Sequence, residues 1–219
     1  MTMLMQDRPR EAVELVIDWC GFEAVKYACT NWHYSKAVPA GQLVKVGAWE
    51  NGAFIGCVLF SHGANNHIGM PYGMTQHEAV ELTRIAMNTH ITPVTQIMAK
   101  AIRMLKQQCP GLKLIVSYAD TDQNHLGAIY QAGNWIYTGV STKNDLGAFI
   151  VHGKKMHPKT VHSKGWKQTI KWLREHVDPN AEVFISSGKH KYLYPLDKKT
   201  RASVLALSKP YPKRDESCP

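Results

Sequence analysis

Residues 21–32, GFEAVKYACTNW, bring Phe22, Val25, Ala28 and Cys29 back at helical spacing, which predicts a helix ending near His33-Tyr34-Ser35-Lys36, ahead of Pro39. Residues 43–49 and 54–60 are apolar, β-prone runs. Between them Glu50-Asn51-Gly52 supplies the Asn-Gly pair of a tight hairpin, so the runs are expected to pair antiparallel. Residues 61–77 are rich in Gly, Asn and His without an apolar period and read as a functional loop. Residues 79–87, AVELTRIAM, suit a strand, with Glu81, Thr83 and Ile85 on one face and Leu82, Arg84 and Ala86 on the other.

A helical stripe of Ile97, Met98, Ala101, Ile102 and Leu105 comes next and stops at Pro110-Gly111. A buried strand over 112–118, a short helix over 124–131 closed by Gly133, and a strand over 135–140 complete the alternation. Strands joined through helices tend to be parallel, so the pattern predicts an α/β fold with a mixed sheet and ligands at the strands' carboxyl ends. Past residue 150, strand-like 149–152, a helix around 166–175, and strands over 182–186 and 191–195 continue the fold or form a small lobe. The evenly spaced His152, His157 and His162 show no helical period and read as a solvated loop.

With 44% hydrophobic and 20% charged residues in 219, the chain is expected to be globular. The longest apolar run is far short of the roughly 20 residues needed to span a bilayer. The start, MTMLMQDRPR, lacks the apolar stretch of a signal peptide, so no membrane association and a cytoplasmic location are expected. Five cysteines without a CxxC pair read as reduced thiols. The net charge of +9 changes the picture by its location. Residues 1–150 hold 11 Lys/Arg and 11 Asp/Glu, and residues 151–219 hold 15 and 6. This division predicts a neutral core over 1–150 carrying a basic, polyanion-binding part over 151–219, against the plainer reading of a solvated basic face.

Four polar patches stand out: residues 31–36 (NWHYSK), Arg84, residues 117–120 (SYAD) and residues 124–130. Asp120, at the carboxyl end of a strand, suits a base or metal ligand, or else the cap of the helix after it. The hydroxyl of Tyr130 suits an acid or orienting donor in the same crevice, or a core ring. Arg84 needs a partner, either a carboxylate such as Glu78 or Glu81 or an incoming phosphate or carboxylate. His33, Tyr34 and Lys36 offer an imidazole, a phenol and a cation within four residues, or an ordinary helix end. Phosphate loops of the Walker type, HExxH and GxSxG are all missing, which removes the commonest nucleotide, zincin and serine-hydrolase readings.

VELTRIAM, a helix, LKLIVSYAD and NHLGAIYQAGNWIYTG, taken in order, resemble the central part of the GNAT acyltransferase fold. With NWHYSK and GKHKYLYPL they resemble the phage Mom proteins over about residues 24–195. The resemblance implies a GNAT-like mixed central sheet flanked by helices, with a basic C-terminal extension. It also implies conversion of adenine in double-stranded DNA to its carbamoylmethyl form at the exocyclic amine, which protects phage DNA from host restriction endonucleases. His33, Tyr34, Ser117, Asp120 and Tyr130 carry over by motif as catalytic residues and Arg84 as a substrate-binding one, with Trp32, Ser35, Lys36 and Asn124 as further substrate-binding candidates. Suggested iron dependence would make His33 and Asp120 ligands.

GNAT enzymes carry a Gly-rich loop for the coenzyme A pyrophosphate after the strand that VELTRIAM matches. Here the segment is NTHITPVT, without glycine, so acetyl-CoA is not the expected donor. An activated glycyl ester, glycyl-tRNA, fits the product, with tRNA then a second partner. Trp32, Tyr34 or Tyr72 would stack on an extruded base, while Lys154, Lys155, Lys164, Lys189 and Lys191 would contact phosphates. The competing expectations are a conventional acetyl-CoA acyltransferase acting on a protein, RNA or small amine, and a DNA-binding protein without catalysis.

Overall fold

The computed structural model describes residues 13–39, 41–62, 67–141 and 146–213. In chain order its elements are β1 (Leu15–Trp19), α1 (Phe22–Trp32), β2 (Val44–Glu50), β3 (Ala53–Ser61), β4 (Ala79–Met87), α2 (Val94–Gln108), β5 (Leu114–Asp120), α3 (Ala128–Ala132), β6 (Ile136–Val140), β7 (Leu146–Val151), β8 (Lys154–Met156), α4 (Pro158–Ser163), α5 (Ile170–His176), β9 (Glu182–Ile185), β10 (Lys189–Pro195) and α6 (Lys198–Leu205). Single 3-10 turns lie at Met70–Tyr72 and Thr121–Gln123. The fold is thus α/β, and its compact units divide after Ser117 rather than at residue 150. One unit comprises residues 1–117 and 194–204, the other residues 118–193 and 205–219. Among the described residues no helix is long and apolar enough to cross a membrane.

In the first unit the strands run in the order β1-β2-β3-β4-β5. The first four are antiparallel neighbours and β4 lies parallel to β5, which makes the sheet mixed. At the β2–β3 turn Asn51 (φ 48°) and Gly52 (φ 80°) are both left-handed, the geometry that Asn-Gly favours in a two-residue hairpin. All five predicted stripe residues of α2 are buried. Val25, Ala28 and Cys29 of α1 pack on Cys57 and Leu59 of β3 and on Ala86 of β4, with Trp32 and Phe54 at the margin.

Simple alternation fails at one place in β4, and the failure matters for the site. Arg84 pairs with Leu59 and Leu82 with Phe60, so Thr83 is an extra residue, a β-bulge. Leu59 and Phe60 point to opposite faces. Arg84 therefore leaves the face of Leu82, where strict alternation puts it, and joins Cys57, Leu59 and Ala86 on the face that α1 covers.

In the second unit β6 and β10 pair antiparallel, and rings from Tyr130, Trp135, Tyr137 and Tyr192 pack 5.0–5.2 Å apart around them. Residues 146–185 form a lobe with a core of its own. The sheet β8-β7-β9 packs against α4 and α5 through Phe149, Val151, Val161, Leu173 and Ala181. The stretch expected as a solvated loop is ordered here: His152 (φ 49°) and Gly153 turn the chain into β8, and His157 caps α4. Six residues are too few to show a period. The helix expected around 166–175 starts at Ile170, and Trp166 packs beside the lobe core instead. The helix expected over 124–131 shrinks to α3, because Asn124 (φ 55°) and Gly127 (φ 74°) are left-handed.

Candidate active site

In the first unit the NWHYSK segment is tied into one structure. Helix α1 stops at His33, whose extended backbone (φ −102°, ψ 140°) ends the hydrogen-bond ladder. The His33 Nδ1 accepts from the Ser35 N–H at 3.1 Å and lies 2.9 Å from Ser35 Oγ, which leaves Nε2 as the protonated nitrogen of the neutral ring. Lys36, in a left-handed turn, donates from Nζ to the Asn31 carbonyl at 2.8 Å. The cation expected to reach substrate is thus part of the loop's own scaffold.

Arg84 completes this segment. Its Nη1 donates to the Ala37 carbonyl, while Nε is buried and has no hydrogen-bond partner among the described residues. Of the carboxylates the sequence offered it, Glu78 is taken by Lys113 and by the Thr75 N–H, contacts that bring its pKa down to about 2. On its inner side the guanidinium meets thiols: burial pushes the Cys29 pKa up and Arg84 partly offsets that, and burial raises Cys57 further. A buried donor without an acceptor is uncommon, and here its neighbours are the thiols of Cys29 and Cys57.

The two aromatic residues of the segment divide their tasks. Trp32 packs edge-on to Tyr27 at 5.2 Å and against Phe54 at 5.7 Å, so it belongs to the core margin and is not the ring left for stacking. Tyr34 is 53% exposed and lies 4.2 Å from the His33 ring, which makes it the accessible aromatic surface. Ser117 is fully buried and donates to the Leu82 carbonyl at 2.8 Å. That hydroxyl ties β5 to β4 rather than facing a crevice.

In the second unit Asp120 caps the turn after it, Oδ1 accepting from the Asp122 N–H at 3.0 Å. Asp122 is bound more heavily, to the Ser187 hydroxyl and N–H and to Lys155, contacts that lower its pKa. Asn124 is exposed at the left-handed end of this turn. Tyr130 is 7% exposed, between Trp135 at 5.0 Å and Tyr192 at 5.1 Å, so its ring is a core ring. Among the expected phosphate contacts, Lys154, Lys155, Lys164 and Lys189 are exposed. Lys155 is held by Asp122 and lies over the Phe184 ring at 3.4 Å, and Lys164 lies over Trp166 at 5.3 Å. Lys191 is half-buried, and burial lowers its pKa, which makes it the least suited of the five to meet solvent-borne phosphate.

Among the described residues no three His, Cys, Asp or Glu side chains converge as a metal ion would need. His33 and Asp120 also each engage local partners through the atoms named above. These side chains do not fit an iron centre. Sequence reasoning missed the Ala37 carbonyl, the thiol pair behind Arg84 and the carboxylate of Glu50. The helical stripe that places Cys29 on the buried face of α1 was the one signal available.

The model of the Mom protein family matches residues 14–213. A comparison with curated proteins gives no match. Among solved structures the chain is similar to aminoglycoside 6'-acetyltransferase type Ii, at 11% identity and a TM-score of 0.45 over 83% of this chain and 97% of that one. It is also similar to an IAA acetyltransferase from Bacillus cereus, at 13% identity and a TM-score of 0.42 over 84% and 100%. An N-acyl amino acid synthase from uncultured soil microbes gives 8% identity and a TM-score of 0.48 over 89% and 96%.

Proposed function

The chain belongs to the Mom protein family, and on that premise we propose that it converts adenine in double-stranded phage DNA to the carbamoylmethyl form, shielding that DNA from restriction endonucleases in the cytoplasm of the host. The observation that carries this reading is the match over residues 14–213, a range that contains NWHYSK, Arg84, SYAD and the Tyr130 helix.

The adenine amine is a poor nucleophile because its lone pair is delocalised into the ring. It needs a positioned base and a stabilised oxyanion. In our reading the donor is an activated glycyl ester, glycyl-tRNA, and the amine attacks its carbonyl, expelling the ester alcohol and forming a glycyl amide. The free glycyl amine then attacks the ring carbon, the bond from that carbon to the original nitrogen breaks, and carbamoylmethyl-adenine results. His33 or Asp120 takes the proton. In the second unit the hydroxyl of Tyr130, whose ring packs in the core, serves as hydrogen-bond donor; in the first, the Arg84 guanidinium donates to a carbonyl or phosphate oxygen. Extruding the base from the duplex costs a few kcal/mol, and Tyr34 offers it a stacking surface. The exposed lysines beyond residue 150 add affinity for the backbone.

Mass spectrometry of nucleosides from cells expressing the protein tests the proposal. Adenine heavier by one carbamoylmethyl group is expected, and unmodified adenine despite soluble protein would refute it. With nitrogen-labelled glycine, label should reach the nitrogen on the ring carbon; label confined to the terminal amide excludes the rearrangement.

A further inference from the structure

Glu50 ends β2, yet its carboxylate turns toward the backbone just ahead of α2. Oε1 accepts from the Thr92 N–H at 2.6 Å and the Ile91 N–H at 3.2 Å, and Oε2 accepts from the Ile91 N–H at 2.9 Å. The residue is 7% exposed. The receiving segment is held at further points, by the Asn88 N–H on the Ile55 carbonyl at 2.9 Å and by His90 Nδ1 lying 2.7 Å from the Asn88 carbonyl. Beyond it run the fifteen residues of α2, with no acidic residue in the first turn and no side-chain cap.

The amino end of a helix this long carries about half a positive charge, and amides converging there attract anions. In this chain the anion is its own. Burial alone would raise the Glu50 pKa, but hydrogen bonds from Thr92 and Ile91 and the nearby His90 outweigh burial and hold the carboxyl below its usual range. At neutral pH a full negative charge therefore covers the amides of Ile91 and Thr92, just ahead of Pro93 and the helix start. A phosphate arriving at the helix start would meet a like charge and find those two amides occupied.

We propose that Glu50 determines donor specificity by closing the start of α2 to phosphate, so that a donor anchored there by a diphosphate is turned away. The inference rests on the acyl-transfer reading above only in calling the excluded molecule a donor. A glycyl ester that carries its activation in the ester bond needs no such anchor.

Calorimetry on the full chain, with coenzyme A and inorganic pyrophosphate as probes, decides the matter. The unsubstituted protein should bind neither saturably. Glu50→Ala, with both amides uncovered, should bind pyrophosphate at least tenfold more tightly, and Glu50→Gln, which keeps an oxygen acceptor without the charge, should show a smaller gain. If Glu50→Ala loses its cooperative melt, Glu50→Gln carries the test. Saturable coenzyme A binding by the unsubstituted protein, or a folded Glu50→Gln with no gain, overturns the proposal. Unmodified adenine in expressing cells, together with the gain in the variants, would refute DNA modification and leave the role of Glu50 standing.

Discussion

The loop around His33 and the lobe over 146–185 handle charge in opposite ways. Around the loop, charges are turned inward onto backbone: Arg84 and Lys36 donate to the carbonyls of Ala37 and Asn31, and Glu50, nearby in sequence, accepts from two amides. The lobe holds seven Lys/Arg against three Asp/Glu and leaves most of them in solvent around an apolar core. Inward charge fixes atoms to within a hydrogen bond, which is what a reaction requires. Outward charge fixes little and attracts a polyanion from a distance. On the proposed function, the loop would serve the chemistry together with Asp120 and Tyr130, and the lobe would serve grip, a division that experiment can break.

The largest effect is expected on the loop. Arg84→Ala removes the donor that holds the Ala37 carbonyl, and misplacement on the scale of 1 Å costs about a hundredfold in rate. Adenine modification, read by mass spectrometry, should fall by at least about that much while DNA affinity stays roughly unchanged. The lost hydrogen bond should lower stability by about 1–3 kcal/mol. Equal loss of DNA binding would erase the division of labour.

Asp120→Ala and Tyr130→Phe sharpen the same point within the second unit. Both should abolish modification; the first also removes a cap, for about 1 kcal/mol of stability, and the second keeps the ring packing. Modification that survives Tyr130→Phe would leave Tyr130 as a core ring only.

For the lobe, Lys154→Glu with Lys164→Glu should reduce the slope of log affinity against log salt by about two, since each phosphate contact contributes roughly 0.9. Turnover at saturating DNA should persist. The same reversal at half-buried Lys191 should show up first as a lower melting temperature. An unchanged slope would place the DNA surface elsewhere.

The smallest effect is in pH. Burial, followed by Lys159 and Lys189, lowers the His157 pKa, and its Nδ1 accepts from the Lys159 N–H at the start of α4. Unfolded chain then binds this proton more readily than folded chain. The stabilisation is complete above about 6.5, the ordinary histidine value, and fades as pH falls through it. Glu50 and Glu78 are also lowered, from the carboxylate range, so their contribution is present above about 4.5 and fades only below it. Hydrogen exchange at pH 7.5 and 5.5, corrected for intrinsic rates, should show amides of α4 loosening while those of α2 hold. Uniform loosening would refute separate control.

Some of this was legible because a sequence encodes local pattern directly. The α2 stripe, the Asn-Gly turn and the strand over 79–87 are local patterns, and each reappears in the structure. Arg84 stands out as a charge needing a partner, but its partner is the Ala37 backbone carbonyl, a group that every residue offers. Glu50 was masked the same way: its residue type beside a turn suggests solvent, and the two amides that hold it lie 41 and 42 positions away. The bulge at Thr83 depends on the pairing strand and has no signature in AVELTRIAM. Helix α4 is too short for a period, and left-handed Asn124 and Gly127 trimmed the helix before Tyr130.

The split make-up of the first unit also sets an order of events during synthesis. The lobe over 146–185 is one unbroken stretch whose strands and helices meet near neighbours, the kind of connectivity that forms fast. The first unit draws on residues 194–204, and the Leu196 N–H reaches back to the Lys113 carbonyl at 2.8 Å, across 83 positions. The ribosome thus releases the lobe in a state able to condense while the first unit still waits for residues 194–204, its last strand-end and helix. Pulse-labelled exchange during refolding should find lobe amides protected before those of β5, leaving an interval in which the exposed lysines of the lobe are presented before the first unit is complete.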